Sequence, residues 1–155
     1  MLIAIRKRLQ NKEEGFTLIE LMVVVLIIAI LIAIAIPTFL GARKRAQDRA
    51  AQSNIRNVLT AEKTYYTDAQ VYTASETDIE AIEPAIQIQA ADPPTAVTGN
   101  NVSVVFTTPT VFIMAKSASG TCFYVKDDAA SATQFAKSTT CLVSTGALTW
   151  STTPW

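Results

Sequence analysis

Between Glu20 and Arg43 the chain has no charged residue for 22 positions, and Leu21 to Ile36 (LMVVVLIIAILIAIAI) is apolar without a break. A hydrocarbon core about 30 Å thick takes about 20 helical residues, so this segment is long enough to cross a membrane. In lipid its backbone polar groups must be satisfied internally, which makes it a helix. A buried soluble helix of this length and uniform apolarity would be unusual. Basic residues flank both ends, Arg6, Lys7, Arg8 and Lys12 on one side and Arg43, Lys44 and Arg45 on the other. Charge bias therefore does not orient the span. An ordinary secretory signal has an apolar core of about 7 to 15 residues, shorter than this one. Cleavage after Ala42, releasing a soluble secreted protein, is the alternative such a signal would imply.

The segment's N-terminal border is specific. A short charged leader ends in Glu13-Glu14-Gly15 and gives way to Phe16-Thr17-Leu18-Ile19-Glu20-Leu21-Met22-Val23-Val24-Val25, followed later by Ala33-Ile34-Ala35-Ile36-Pro37. This resembles the processing and assembly signature of type IV prepilins and the related pseudopilins, over roughly the first third of the chain. The resemblance implies that a membrane-embedded prepilin peptidase cuts between Gly15 and Phe16 and that the new Phe16 amine is N-methylated. The apolar segment then stays with the mature protein. A glycine before the cut lets the backbone approach a protease cleft closely, although Gly15 is also an ordinary turn residue.

Glu20 is an ionisable group at the edge of a spanning segment, where burial costs about 2.5 to 3.5 kcal/mol if it lies deep. The resemblance implies a partner for it, the Phe16 amine of a neighbouring subunit, which would set the axial register of a filament. Read from the residues alone, Glu20 sits at the interface and is favoured by the helix dipole. Pro37 lies inside the helical pattern and is expected to kink it or loosen one turn. In the family this region can unwind as subunits leave the bilayer. The chain departs from the commonest family pattern with Ala29 in place of glycine and Ile32 in place of a smaller residue, and alanine is the better helix former.

Beyond Pro37, apolar positions recur at Ala51, Ile55, Val58, Leu59, Tyr65, Tyr66 and Ala69, the spacing of a helix with one buried face. Thr17 to about Ala69 thus reads as one helix of roughly 80 Å, apolar first and amphipathic second. The Arg43-Lys44-Arg45 cluster can bind anionic head groups or DNA, but a solvated stretch between membrane and head is the preferred reading, since no aromatic stacking partners are interleaved. From Val71 the composition shifts to Thr, Ser, Asp, Pro and Ala, with a loop or strand boundary at Asp92-Pro93-Pro94-Thr95. Ile86–Ala90 alternates apolar and polar, and Val102–Phe106, Val111–Lys116 and Cys122–Lys126 are strand-like. Gly99-Asn100-Asn101 and Ser117-Ala118-Ser119-Gly120 supply turns. The expectation is an α+β pilin fold, the amphipathic half-helix packed on an antiparallel sheet of three to five strands. Its parts are a leader at 1–15, an apolar assembly helix at 16–42, an amphipathic continuation at 43–70 and a β-rich head with a C-terminal disulfide loop at 71–155.

The two cysteines, Cys122 and Cys141, fall in the part expected to face outward and can close a disulfide in an oxidising compartment, or else remain two buried thiols. In the family a C-terminal disulfide often bounds a variable surface loop, which here would include Asp127, Asp128, Phe135 and Lys137. The chain contains no histidine, which removes Ser-His triads and histidine metal sites, and no phosphate-binding glycine loop occurs. Asp127-Asp128 reads as a solvated turn rather than a calcium site. No catalytic residue, metal or cofactor is expected. Asn101-Val102-Ser103 matches a glycosylation acceptor pattern. Val71 to Trp155 carries three basic and seven acidic residues, a net charge of minus four, which disfavours nucleic acid as a partner.

The resemblance implies a non-enzymatic subunit of a type IV pilus. Its partners would be copies of itself, the prepilin peptidase, the pilus assembly machinery and, before assembly, membrane lipid. The precursor would cross the cytoplasmic membrane once with its head outside and end in an extracellular filament. A pseudopilin of a type II secretion or competence system is the alternative.

Overall fold

The computed structural model describes residues 15–89, 101–141 and 148–155. The chain divides into two compact units, Met1–Gly41 and Ala42–Trp155. Helix α1 runs over Leu18–Ala69, and its first part, within the first unit, belongs to the site below.

In the second unit, α1 turns Ala51, Ile55, Val58 and Ala61 inward at the three- and four-residue spacing of one helix face. Leu59 and Tyr66 are partly buried beside them, whereas Ala69 is exposed at the helix end. The helix stops at Gln70, which takes a left-handed φ of 57° and donates its N–H to the Tyr66 carbonyl at 2.8 Å. That is the role glycine usually fills, here taken by glutamine. A short helix, α2 (Glu76–Ile82), follows. Ser75 caps it by accepting the Asp78 N–H at 3.4 Å, and Ile79 is its buried anchor. The composition from Val71 gave no sign of this element, which is only seven residues long.

Five strands form one sheet in chain order: β1 (Gln87–Gln89), β2 (Asn101–Thr107), β3 (Thr110–Lys116), β4 (Cys122–Asp128) and β5 (Ser131–Ser138). The β2–β3, β3–β4 and β4–β5 pairs are antiparallel, with Val104 opposite Ile113, Ile113 opposite Val125 and Val125 opposite Phe135. β1 instead pairs with β2 in parallel. The turn into β4 needs Gly120, whose φ is 97°, a conformation other residues rarely adopt.

The alternation of the strands splits the apolar residues between two faces. Val102, Val104, Val111, Ile113, Phe123 and Val125 pack in one cluster with Ile55, Val58 and Ile79. Met114, Cys122, Tyr124 and Ala136 form a second cluster, covered by Cys141, Leu148 and Trp150. The second-unit part of α1 therefore lies on one face of the sheet, where Trp155 joins it against Phe123 and Phe135, while Cys141, Leu148 and Trp150 cover the other face. The fold is α+β, with a long N-terminal helix on a mostly antiparallel five-stranded sheet.

Three sequence expectations are corrected here. The segment between Cys122 and Cys141 is the β4–β5 hairpin rather than an open surface loop, and the two cysteines are bonded across it with Cα atoms 5.4 Å apart. Asp127 is buried rather than part of a solvated turn. It accepts the Tyr72 hydroxyl at 2.5 Å, pairs with Lys63 at 3.2 Å and also accepts the Thr133 hydroxyl. Burial, and then the Asp127 carboxylate, hold the Tyr72 phenol well above its usual range, so it remains a donor. Finally, Asn101 is buried at the start of β2 and its Oδ1 has no hydrogen-bond partner among the described residues, so it is not presented as a glycan acceptor would be. The expected boundary at Asp92-Pro93-Pro94-Thr95, Gly99 and Asn100 of the expected turn, and the leader as far as Glu14 lie outside the described residues.

Candidate functional site

The first unit presents Gly15 to Gly41. None of its large apolar side chains from Leu18 to Leu40 is less than 47% exposed, and no part of its most apolar 18-residue window is buried. Consecutive helical residues point 100° apart, so exposure at successive positions means apolar surface on every side. Water does not tolerate a surface of this kind, which marks a membrane or protein contact. The segment has the length and composition of a membrane span.

The helix starts with a reciprocal cap. Thr17 Oγ1 accepts the Glu20 N–H at 3.3 Å, and Glu20 Oε2 accepts both the Thr17 N–H at 2.9 Å and the Thr17 hydroxyl at 2.7 Å. The Thr17 carbonyl then accepts the Leu21 N–H at 3.2 Å, the first bond of the helical ladder. This is the capping box, in which a Ser or Thr and a Glu three residues later satisfy each other's orphan donors. Reading Glu20 as an isolated charge missed the role of Thr17, although the Thr-x-x-Glu spacing before an apolar run carries that signal.

Just outside the cap, Phe16 is 86% exposed. Gly15 is exposed too, and a Cβ built on it meets nothing within 4 Å. Any demand for glycine at this position therefore comes from outside the chain. Gly15, Phe16 and Glu20 fall within six consecutive residues at one end of the apolar surface, while Pro37 lies near the other. Pro37 has no N–H to give the Ala33 carbonyl. Helix α1 runs unbroken through it, and the neighbouring Thr38 hydroxyl donates to the Ile34 carbonyl at 3.1 Å. Cys122 and Cys141 belong to the second unit and take no part in this site.

A family model for the prokaryotic N-terminal methylation motif matches residues 10–36. The chain carries the prokaryotic N-terminal methylation motif. That motif takes in Gly15, Phe16, Thr17 and Glu20 and ends one residue before Pro37. Relatives of the chain include the type IV major pilin protein PilA of Myxococcus xanthus, 40% identical over 66 residues, which are 43% of this chain and 30% of that protein. The type IV wide pilus major component PilA4 of Thermus thermophilus is 40% identical over 63 residues, 41% of this chain and 48% of the relative. The type II secretion system core protein G of Vibrio cholerae is 37% identical over 72 residues, 46% of this chain and 49% of the relative. The chain thus spans between about a third and a half of the length of these relatives.

Proposed function

We propose that this chain is a structural subunit of a type IV pilus, made as a membrane precursor and polymerised through the apolar part of α1 into an extracellular filament. The observation that carries the reading is the uncovered apolar surface from Leu18 to Leu40, joined to a capped carboxylate at its N-terminal end. Lipid covers that surface in the precursor and copies of the same helix cover it in the filament. The motif and the pilin relatives support this assignment. So does the Cys122–Cys141 bond, since disulfides persist in oxidising compartments, which supports a head outside the cytoplasmic membrane.

A prepilin peptidase cuts between Gly15 and Phe16, where the exposed backbone and the absent side chain admit a protease cleft, and Phe16 is then N-methylated. The cut creates a positive amine next to the cap. In the precursor Thr17 already supplies Glu20 with two donors, which lowers the cost of holding a carboxylate at the membrane edge. In the filament Glu20 pairs with the Phe16 amine of a neighbouring copy and sets the axial register. Two unit charges 4 Å apart gain on the order of 4 kcal/mol at an effective dielectric of 20, before desolvation is subtracted. Pro37 is the point at which α1 loosens as subunits leave the bilayer. The role is structural rather than enzymatic.

Similarity to the type II secretion core protein supports a second reading, a pseudopilin of a secretion or competence system. Mass spectrometry of the mature protein tests the common core of both readings. The expected chain begins at Phe16 and carries one added methyl group, whereas a chain beginning at Arg43 overturns them. Shearing cells separates the two, because a pilus subunit is recovered in the sheared surface filaments and a pseudopilin is not.

A further inference from the structure

The second unit segregates its charge along α1. Arg45, Arg49 and Arg56 follow one another at spacings of four and seven residues, which places them within about 40° of one another on the helix surface. All three are exposed, and none meets a carboxylate among the described residues. Lys63, seven residues further on, extends the row but is held by Asp127 at 3.2 Å. The buried positions Ala51, Ile55 and Val58 lie about 80° or more round the helix from each member of the row, so the row is not the face that meets the sheet.

The sign reverses beyond Lys63. From Asp68 to Gln89 the chain has five acidic residues, Asp68, Glu76, Asp78, Glu80 and Glu83, and no basic one. Asp78 accepts the Thr73 hydroxyl at 3.4 Å and Glu80 accepts the Ile88 N–H at 3.1 Å, both neutral donors. The side-chain carboxylates of Asp68 and Glu83 form no ion pair among the described residues.

We propose that the Arg45, Arg49 and Arg56 face is a contact surface between copies of this chain and receives the acidic Asp68–Glu83 segment of a second copy. The inference rests on the filament reading above. A two-fold pairing through either region brings like charges together, whereas a head-to-tail contact brings opposite charges together and leaves each copy with a free pole of each sign. Such heterologous contacts propagate as an open helix when their rotation does not close a ring, as a filament requires. Anionic lipid would neutralise the basic row alone and leave the acidic segment unanswered, while a second copy answers both. The row runs from Arg45 to Arg56, about 16 Å of helix, so several pairs can form at once. Charged pairs at a rim contribute to register and partner choice more than to bulk affinity, and they weaken with salt.

The test uses the full chain expressed with its assembly machinery, with filaments measured by shearing and subunit measured in the membrane fraction. R45E/R49E/R56E is expected to lower filament yield at least tenfold at unchanged membrane level, and D68K/E83K to do the same. Combining all five substitutions is expected to restore yield to within threefold of the unaltered chain. Misfolding in either partial variant would not be repaired by substitutions at the other pole. Unaltered yield from either partial variant overturns the proposal and leaves the filament reading standing. Failure of the combined variant to recover overturns it equally. Depletion of the basic-row variant from the membrane assigns that face to anionic headgroups and also overturns it. Absence of any filament from the unaltered chain defeats the filament reading itself.

Discussion

Glu62 Oε2 accepts the Thr73 N–H at 3.2 Å, while Oε1, also buried, has no hydrogen-bond partner among the described residues. The bond ties the segment after α1 back onto the helix, but it leaves one oxygen of the carboxylate without compensation. Burial therefore pushes the Glu62 carboxyl from its ordinary value near 4.5 up to about 7, partly opposed by the Thr73 bond. The folded state holds the proton more tightly than the unfolded chain. The associated stability is complete below about pH 4.5 and is lost as pH rises through about 7, amounting to about 3 kcal/mol. Denaturation of the full chain in mild detergent is expected to show stability falling between pH 5 and pH 8 and levelling above. Glu62→Gln keeps an acceptor for Thr73 and is expected to flatten that slope. A flat profile in the unaltered chain would rule out a proton on Glu62.

The Thr17–Glu20 cap separates two roles that a single alanine substitution would confuse. Glutamine at position 20 can still accept the Thr17 N–H and complete a capping box, but it carries no charge for a neighbouring Phe16 amine. Both Glu20→Ala and Glu20→Gln are expected to be processed and inserted normally and to lose filaments at least tenfold. Thr17→Ala removes a cap worth about 1 kcal/mol and is expected to reduce filament yield only modestly. Abundant filaments from the Gln variant would show that the cap, rather than the charge, is what assembly requires.

How much was legible follows from how each signal is written in the chain. The apolar run of the first unit and the inward face of α1 announce themselves by run length and period, which neighbours do not alter. The strands β2, β3 and β4 show β-branched and aromatic runs. β5 does not, because Ser131–Ser138 offers only Thr133, Phe135 and two alanines among polar residues and owes its place to pairing with β4. The parallel β1–β2 pair is likewise hidden, since direction depends on the path of the connection and not on residue type. Asp127 misled for a related reason. A carboxylate beside another in a polar stretch reads as solvated, and only the folded chain gathers Tyr72, Lys63 and Thr133 around it.

That gathering makes Asp127 and Lys63 unequal partners. Asp127 is 3% exposed and the Lys63 side chain 50%, so losing the acid strands the buried Tyr72 hydroxyl while losing the base releases a largely hydrated group. Asp127→Ala is expected to cost about 3 kcal/mol by thermal or chemical denaturation. Lys63→Ala is expected to cost less than about 1 kcal/mol. Equal costs for the two would mean that the ion pair, and not the buried hydroxyl bonds, dominates the network.

The Cys122–Cys141 bond crosses a sequence separation of 19 and joins the first residue of β4 to the chain just past β5. The hairpin already has its own ladder, so the bond's stabilisation comes chiefly from the loop it forbids in the unfolded chain, about 3 kcal/mol for this length. It also anchors the strand end from which the chain returns to place Leu148 and Trp150 over Met114 and Tyr124. Cys122→Ala with Cys141→Ala is expected to lose about 2 to 3 kcal/mol of stability and to raise exchange at the Tyr124 and Ala136 amides. A reductant should lower the stability of the unaltered chain to the level of the variant and leave the variant unchanged. If the variant were as stable as the unaltered chain, the packing of Leu148 and Trp150 would have to hold that face without the bond.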